Sequence, residues 1–238
     1  MPESPDATTL VLVHGAFRGA WSWRPVVDRL DASGVPCAAV DLLGAGVRWE
    51  DDAAPVGLDA CAADLTAQVR AVPGPVLLVG HSQGSLVVRA ALADPSPNLV
   101  AVAHLDGAVP DVGECAADLL GAPAPSPELL IAPPPPDPAL PAELAQLVAR
   151  HARPQHAALA GGVVGPAAVD VPTWWAFCSD TPETYPSSET RRRLVARGAT
   201  FDWVAGPHDA PLAAPEAVVA WLLRVRAAVD SGAGRTVR

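Results

Sequence analysis

Short β-branched apolar runs, each followed by a stretch with helical spacing, recur along most of this chain, and that alternation restricts the fold more than any other feature. The runs 9–13, 35–42, 75–80, 98–105, 173–178 and 200–204 read as strands, largely apolar rather than alternating. Residues 21–30, 58–72, 83–93, 188–197 and 214–228 carry apolar positions three and four apart, as amphipathic helices do. Strands without a polar face must be covered on both sides, and helices interleaved between them supply that cover. The pattern therefore specifies an α/β fold with a mostly parallel central sheet and helices on both faces. At 238 residues, one such domain with a substantial core is expected.

The rhythm breaks between Gly107 and Asp170. Residues 121–141 are dense in proline, with four in succession at 133–136, and cannot be a sheet interior or a continuous helix. Residues 114–120 and 142–152 could form short helices around them. The expected division is a core of residues 1–106 and 171–238 with a small, partly proline-rich lid insert at 107–170. A solvated linker is the alternative for the proline-rich part.

Composition narrows the chemistry. The net charge of −10 disfavours a nucleic-acid partner, which would call for a basic surface. All 16 basic residues are arginine, which removes a Schiff-base lysine, a phosphate-loop lysine and a Ser-Lys dyad. Cys37, Cys61, Cys115 and Cys178 lack CxxC spacing, so they read as reduced and mostly buried thiols. Residues 1–6 show no leader pattern, and no apolar run approaches the roughly 18–20 residues that span a bilayer. A cytoplasmic protein with no membrane association, metal or cofactor is the expectation.

The pentapeptide Gly80-His81-Ser82-Gln83-Gly84 stands where the 75–80 strand passes into the 83–93 helix. A GxSxG sequence there fits a nucleophile elbow, a sharp turn that strains the serine backbone and leaves no room for side chains on either side. Serine needs a histidine to take its proton, and the histidine needs a carboxylate to fix its tautomer. His208 lies in the loop between the last strand and the last helix, at the carboxyl edge where open parallel sheets bind ligands. His104 lies within an apolar strand and reads as a satisfied core residue; His151 and His156 read as exposed. His81 is expected to point away from the serine. Asp180, just past the penultimate strand, is the expected acid, giving the order Ser82, Asp180, His208. Asp106, at the end of the strand after the nucleophile helix, is its competitor. Two backbone N–H groups should meet the developing oxyanion, those of Gln83 and of Ala16 in the His14-Gly15-Ala16-Phe17 loop. Phe17 and Arg18 are candidate substrate contacts, Arg18 as a partner for a carboxylate.

With these residues in place, the chain resembles the α/β-hydrolase superfamily along nearly its whole length. The opening Val11-Leu-Val-His-Gly-Ala-Phe-Arg-Gly-Ala-Trp-Ser-Trp23 looks most like the branch of plant methylesterases, hydroxynitrile lyases and their bacterial hydrolase relatives. The resemblance implies the α/β-hydrolase fold, and it carries the triad and the two amides onto Ser82, Asp180, His208, Ala16 and Gln83. Hydroxynitrile lyases of that branch resemble one another in having threonine after the first-loop histidine and lysine after the catalytic histidine. Here those positions are Gly15 and Asp209, which speaks against cyanide release. The implied activity is hydrolysis of a small carboxylic ester or thioester through an acyl-serine. A biosynthetic cyclase, acyl transferase or lyase on the same scaffold, and a non-catalytic ligand-binding protein, are the alternatives.

Overall fold

The computed structural model describes residues 7–50, 54–137 and 140–232. Residues 1–6, which carry the leader reading, and residues 138 and 139 of the proline-rich segment lie outside them. In chain order the first half runs β1 (Thr9–Val13), α1 (Arg24–Ala32), β2 (Cys37–Val40), α2 (Leu58–Arg70), β3 (Val76–His81), α3 (Gly84–Ala91) and β4 (Leu99–Leu105). The insert then contributes β5 (Leu130–Ile131), α4 (Ala142–His151) and β6 (Gln155–His156). The chain closes with β7 (Thr173–Cys178), α5 (Pro186–Ala196), β8 (Asp202–Val204), α6 (Ala210–Ala213) and α7 (Pro215–Asp230).

Six strands form one sheet in the order β2-β1-β3-β4-β7-β8, with every neighbouring pair parallel. Side chains on β1 alternate between two cores, as strand pleating requires. Leu10 and Leu12 pack with Val26 and Leu30 of α1 and Trp221 and Leu222 of α7. Val11 and Val13 pack on the other face with Leu58 and Leu65 of α2 and Leu86 of α3. A strand buried on both faces has no place for polar residues, which is why the run reads as continuously apolar. The chain leaves β1 for the edge strand β2 and returns to β1's other side as β3. Loops leaving the carboxyl ends of β1 and β3 therefore diverge, and the crevice between them is where such sheets bind ligands.

Several boundaries differ from the sequence reading for local reasons. Helix α1 begins at Arg24 rather than 21, because Pro25 suits a first turn and Ala20–Trp23 form a 3-10 turn ahead of it. The helix expected at 114–120 is a 3-10 turn, Ala116–Leu120, ended by Gly121 in the left-handed conformation. The two-residue antiparallel pair β5–β6 was not anticipated. The insert rests on segments that follow the strands: Leu140 and Val148 pack against Leu212 of α6, and His151 lies tilted against Trp21 with ring centroids 5.5 Å apart. Cys61, Cys115 and Cys178 are buried, Cys37 is half-buried, and all four are unbridged. Among the described residues no helix is long and apolar enough to cross a membrane.

Candidate active site

Strand β3 ends at His81, and Ser82 follows with φ at 52°. A left-handed non-glycine residue costs on the order of 1–3 kcal/mol and survives only where its surroundings leave no alternative. Here the flanking glycines impose it. A Cβ on Gly80 would lie 2.6 Å from the Ser85 Cα, and one on Gly84 only 2.4 Å from the His14 carbonyl oxygen. The strand-to-helix turn is thus pressed against both its own helix and the end of β1.

The turn aims Ser82 at His208, whose Nε2 lies 2.9 Å from Oγ. On the other side of the ring, His208 Nδ1 lies 2.6 Å from Asp106 Oδ2. A carboxylate accepts only, so Nδ1 carries the proton and Nε2 is left to accept from the serine hydroxyl. Asp106 is 1 % exposed and receives a second hydrogen bond from the Thr181 hydroxyl. Burial alone would raise its pKa. The hydrogen bond and charge of His208, with the Thr181 hydroxyl, outweigh burial and hold it below the ordinary aspartate value.

The carboxylate at His208 is therefore Asp106 and not Asp180, which corrects the preferred reading of the sequence. Asp180 is exposed and accepts from its neighbour Ser179 at 2.7 Å. The cause is strand order. β4 adjoins β3, His81 pairs with Leu105 in register, and Asp106 thus emerges beside Ser82. β7 lies one strand further out, and its extension carries Asp180 to solvent. Asp106 itself has φ at 47°, a second strained turn at the same edge. From β7 the Ala176 carbonyl accepts from the Asp106 N–H at 2.7 Å, and from the turn after it the Thr181 hydroxyl donates to the Asp106 carboxylate.

The remaining histidines sort by their partners. His81 is buried with Nε2 2.8 Å from the His208 carbonyl oxygen, so this nitrogen donates and the ring braces the His208 loop. Burial and the charge of His208 push its pKa down to about 4. His14 holds the first loop against Leu42. Its Nδ1 donates to the Gly15 carbonyl at 2.8 Å, and its Nε2 accepts from the Leu42 N–H at 3.2 Å. His104 is buried and stacked on Trp175, its ring centroid 4.2 Å away, but its Nδ1 has no partner among the described residues, so it is core without being satisfied. His151 and His156 are half-buried rather than exposed.

A cavity of about 480 Å³ opens above Ser82 and His208. Gly15, Ala16 and Gln83 line it, bringing together the two residues expected to supply oxyanion donors. Gly15 permits this approach, since a Cβ there would come within 2.9 Å of the Ser82 Cβ. Phe17 and Arg18 also line the cavity, but Arg18 is not a free cation. It donates to Asp209 at 2.8 Å, and the two side chains are only 11% and 16% exposed. The rest of the wall is largely apolar. Leu86 comes from α3, and Ala108, Leu120, Pro123, Pro125 and Pro134 from the insert. Tyr185, which the sequence reading passed over, packs on His208 with ring centroids 4.4 Å apart. The proline-rich segment is thus a wall of the cavity as well as a connection.

The chain is 35% identical to rice esterase PIR7B (Oryza sativa subsp. japonica) over 122 residues, which cover 47% of this chain and 43% of that protein. It is 31% identical to a carbendazim-hydrolysing esterase from a Nocardioides species over 111 residues, 46% of each chain. The chain thus spans less than half the length of these curated relatives. Among solved structures, Arabidopsis methylesterase MES16 superposes with a TM-score of 0.75 at 24% identity, over 93% of this chain and 99% of that one. The family model described as the alpha/beta hydrolase family matches residues 10–221, and the chain belongs to that family.

Proposed function

We propose that the protein is a serine esterase that hydrolyses a small, mainly apolar carboxylic ester or thioester. The observation that carries the reading is the unbroken chain from Ser82 Oγ through His208 to Asp106, at 2.9 Å and 2.6 Å, on the floor of an apolar cavity. Ser82 Oγ attacks the carbonyl carbon while its proton passes to His208 Nε2, and Asp106 stabilises the resulting imidazolium. The tetrahedral oxyanion is met by the backbone N–H groups of Ala16 and Gln83. His208 returns its proton to the leaving alkoxide or thiolate, and an acyl-serine remains. Water, deprotonated by the same nitrogen, then releases the acid and restores Ser82.

The largely apolar wall supports an acyl group without charge, because a carboxylate on it would face no free cation at Arg18. The lyase alternative loses support at Asp209, whose carboxylate is held by that arginine and takes the place of a lysine. Four unbridged thiols suit a cytoplasmic setting. The test is turnover of short-chain p-nitrophenyl esters together with mass-spectrometric trapping on Ser82. Ser82→Ala is expected to lower kcat/KM by at least about 10⁴-fold with circular dichroism unchanged. Activity that survives this change overturns the reading. Acyl transfer to an added alcohol would redirect it to a transferase, and binding without any product to a ligand-binding protein.

A further inference from the structure

One side chain of the insert bonds both to Gln83 and to Phe17, the residue that follows Ala16. Gln155, in β6, accepts from the Phe17 N–H through Oε1 at 3.0 Å and donates from Nε2 to Gln83 Oε1 at 2.8 Å. The Phe17 donor fixes which end of the Gln155 amide is oxygen. Two residues earlier, the Arg153 N–H donates to the Phe17 carbonyl at 3.3 Å, so both backbone polar groups of Phe17 end on the insert. Phe17 is itself strained, with φ at 61°. Within its own loop the turn is closed by only a long bond, from the Arg18 N–H to the Gly15 carbonyl at 3.4 Å.

A left-handed residue in a weakly closed turn persists when outside partners hold it. Here the outside partners are Gln155 and the Arg153 amide. Ala16 precedes Phe17, and the orientation of its N–H follows from the conformation of that turn. Gln83 carries the second donor, and its side chain is bound to the same glutamine. β6 is in turn fixed to β5, and the Ala157 N–H donates to the Leu129 carbonyl at 2.8 Å, so Gln155 stands on a backed element rather than a free loop.

We propose that Gln155 is a positioning residue that clamps the Gly15–Arg18 turn to Gln83 and so makes the oxyanion hole of the esterase depend on docking of the insert. The inference rests on the esterase reading, with Ala16 and Gln83 as donors. Without the clamp the turn relaxes, the Ala16 amide swings off the oxyanion position, and stabilisation made only in the transition state is lost. Such a loss lowers kcat and leaves substrate binding largely intact.

The test compares Gln155→Leu, which keeps bulk and removes both polar ends, with Gln155→Glu, which keeps an acceptor for Phe17 and can receive a donor from a rotated Gln83 amide. For Gln155→Leu the expectation is a kcat lower by about tenfold to a hundredfold, a fraction of the effect of losing a donor outright, with KM within about twofold. Its pH profile should be unmoved, because His208 and Asp106 are untouched. Gln155→Glu should recover most of the rate. Independently of activity, the Phe17 amide should exchange with solvent deuterium at least about tenfold faster in Gln155→Leu than in the parent, read by NMR. A kcat unchanged in Gln155→Leu, a rise in KM alone, or a glutamate variant no better than the leucine one overturns the proposal. Should the parent enzyme show no Ser82-dependent turnover, the esterase reading fails on its own. The exchange measurement then decides the clamp, and a Phe17 amide equally protected in both proteins ends it.

Discussion

The carboxyl edge of the sheet and the 107–170 insert face each other across one cavity, yet they hold their residues in place by different means. At the sheet edge the backbone does the work. Register sets Asp106 beside Ser82, and the two glycines of the nucleophile turn lie against main-chain atoms at distances no Cβ tolerates. In the insert, a few backbone bonds such as Arg153 N–H to the Phe17 carbonyl are joined by side-chain contacts that carry much of the placement: Leu140 and Val148 on Leu212, His151 on Trp21, and Gln155 on Phe17 and Gln83. Reacting groups on rigid strands are positioned to within a fraction of an ångström, whereas a wall built by side-chain packing can change its lining without moving them.

The sharpest way to break this contrast is to exchange the roles of the two aspartates. Asp106→Asn keeps the shape of the site but accepts through one oxygen and cannot stabilise the imidazolium, so kcat should fall by about 10⁴-fold. Asp180→Asn, at an exposed position, should leave kcat within about twofold. Steady-state kinetics on the two variants decides it. A large loss in Asp180→Asn would mean that register does not select the acid.

The same pair shows how far the sequence could be read. The alternation of apolar runs with helical stretches specified the sheet and its two-sided cover. GxSxG after a strand and a histidine before the last helix marked the two residues that meet at 2.9 Å. The acid was ambiguous because both aspartates follow strands, and what separates them is which strand neighbours β3. That is a pairing between distant segments, invisible to local pattern. Tyr185, Thr181 and Gln155 left no signal for a related reason, since each acts through contacts made only when remote segments meet. The short helix expected at 114–120 forms as a 3-10 turn at 116–120, whereas the β5–β6 pair is too short for periodicity to detect.

The buried histidines extend the contrast to acid stability. His14, His81 and His104 all belong to the sheet and its first loop, and burial lowers the pKa of each, to about 4 for His81 and about 3 for His104. Unfolding returns them to ordinary values near 6.5, so below that pH the unfolded chain binds more protons and stability falls as pH drops. For His81 the loss accumulates from about pH 6.5 to about 4 and amounts to roughly 3 kcal/mol. Urea unfolding from pH 8 to 4 should show this limb. His104→Phe, which keeps a ring on Trp175 and removes the unpartnered nitrogen, should make it shallower. An unchanged slope would mean that His104 does not stay neutral in the fold.

Glycine substitutions probe packing directly. A Cβ at Gly84 would sit 2.4 Å and 2.7 Å from backbone oxygens of His14 and Val13, so Gly84→Ala must part the nucleophile turn from β1. The expected cost is about 2 kcal/mol, with a slower Ser82 as well. At Gly165, in the insert, a Cβ would meet nothing within 4 Å, and Gly165→Ala should be neutral or stabilise by about 0.5 kcal/mol through the unfolded chain. Thermal denaturation of both variants gives the comparison, and equal shifts would erase it.

The smallest effect expected is in the wall itself. Pro123, Pro125 and Pro134 line the cavity, to which their rings offer apolar surface and no N–H donor. Replacing Pro123 and Pro125 together by alanine removes apolar surface that an acyl chain would meet and loosens the segment that presents it. Binding of both ground and transition state should weaken equally, so KM for a hexanoyl ester should rise about threefold while kcat stays within about twofold. An acetyl ester, too short to reach the insert, should show neither change. A loss of kcat for the acetyl ester would instead place the prolines with Gln155, among the residues that keep the oxyanion loop in shape. The insert would then be less a replaceable wall than an extension of the sheet's own catalytic edge.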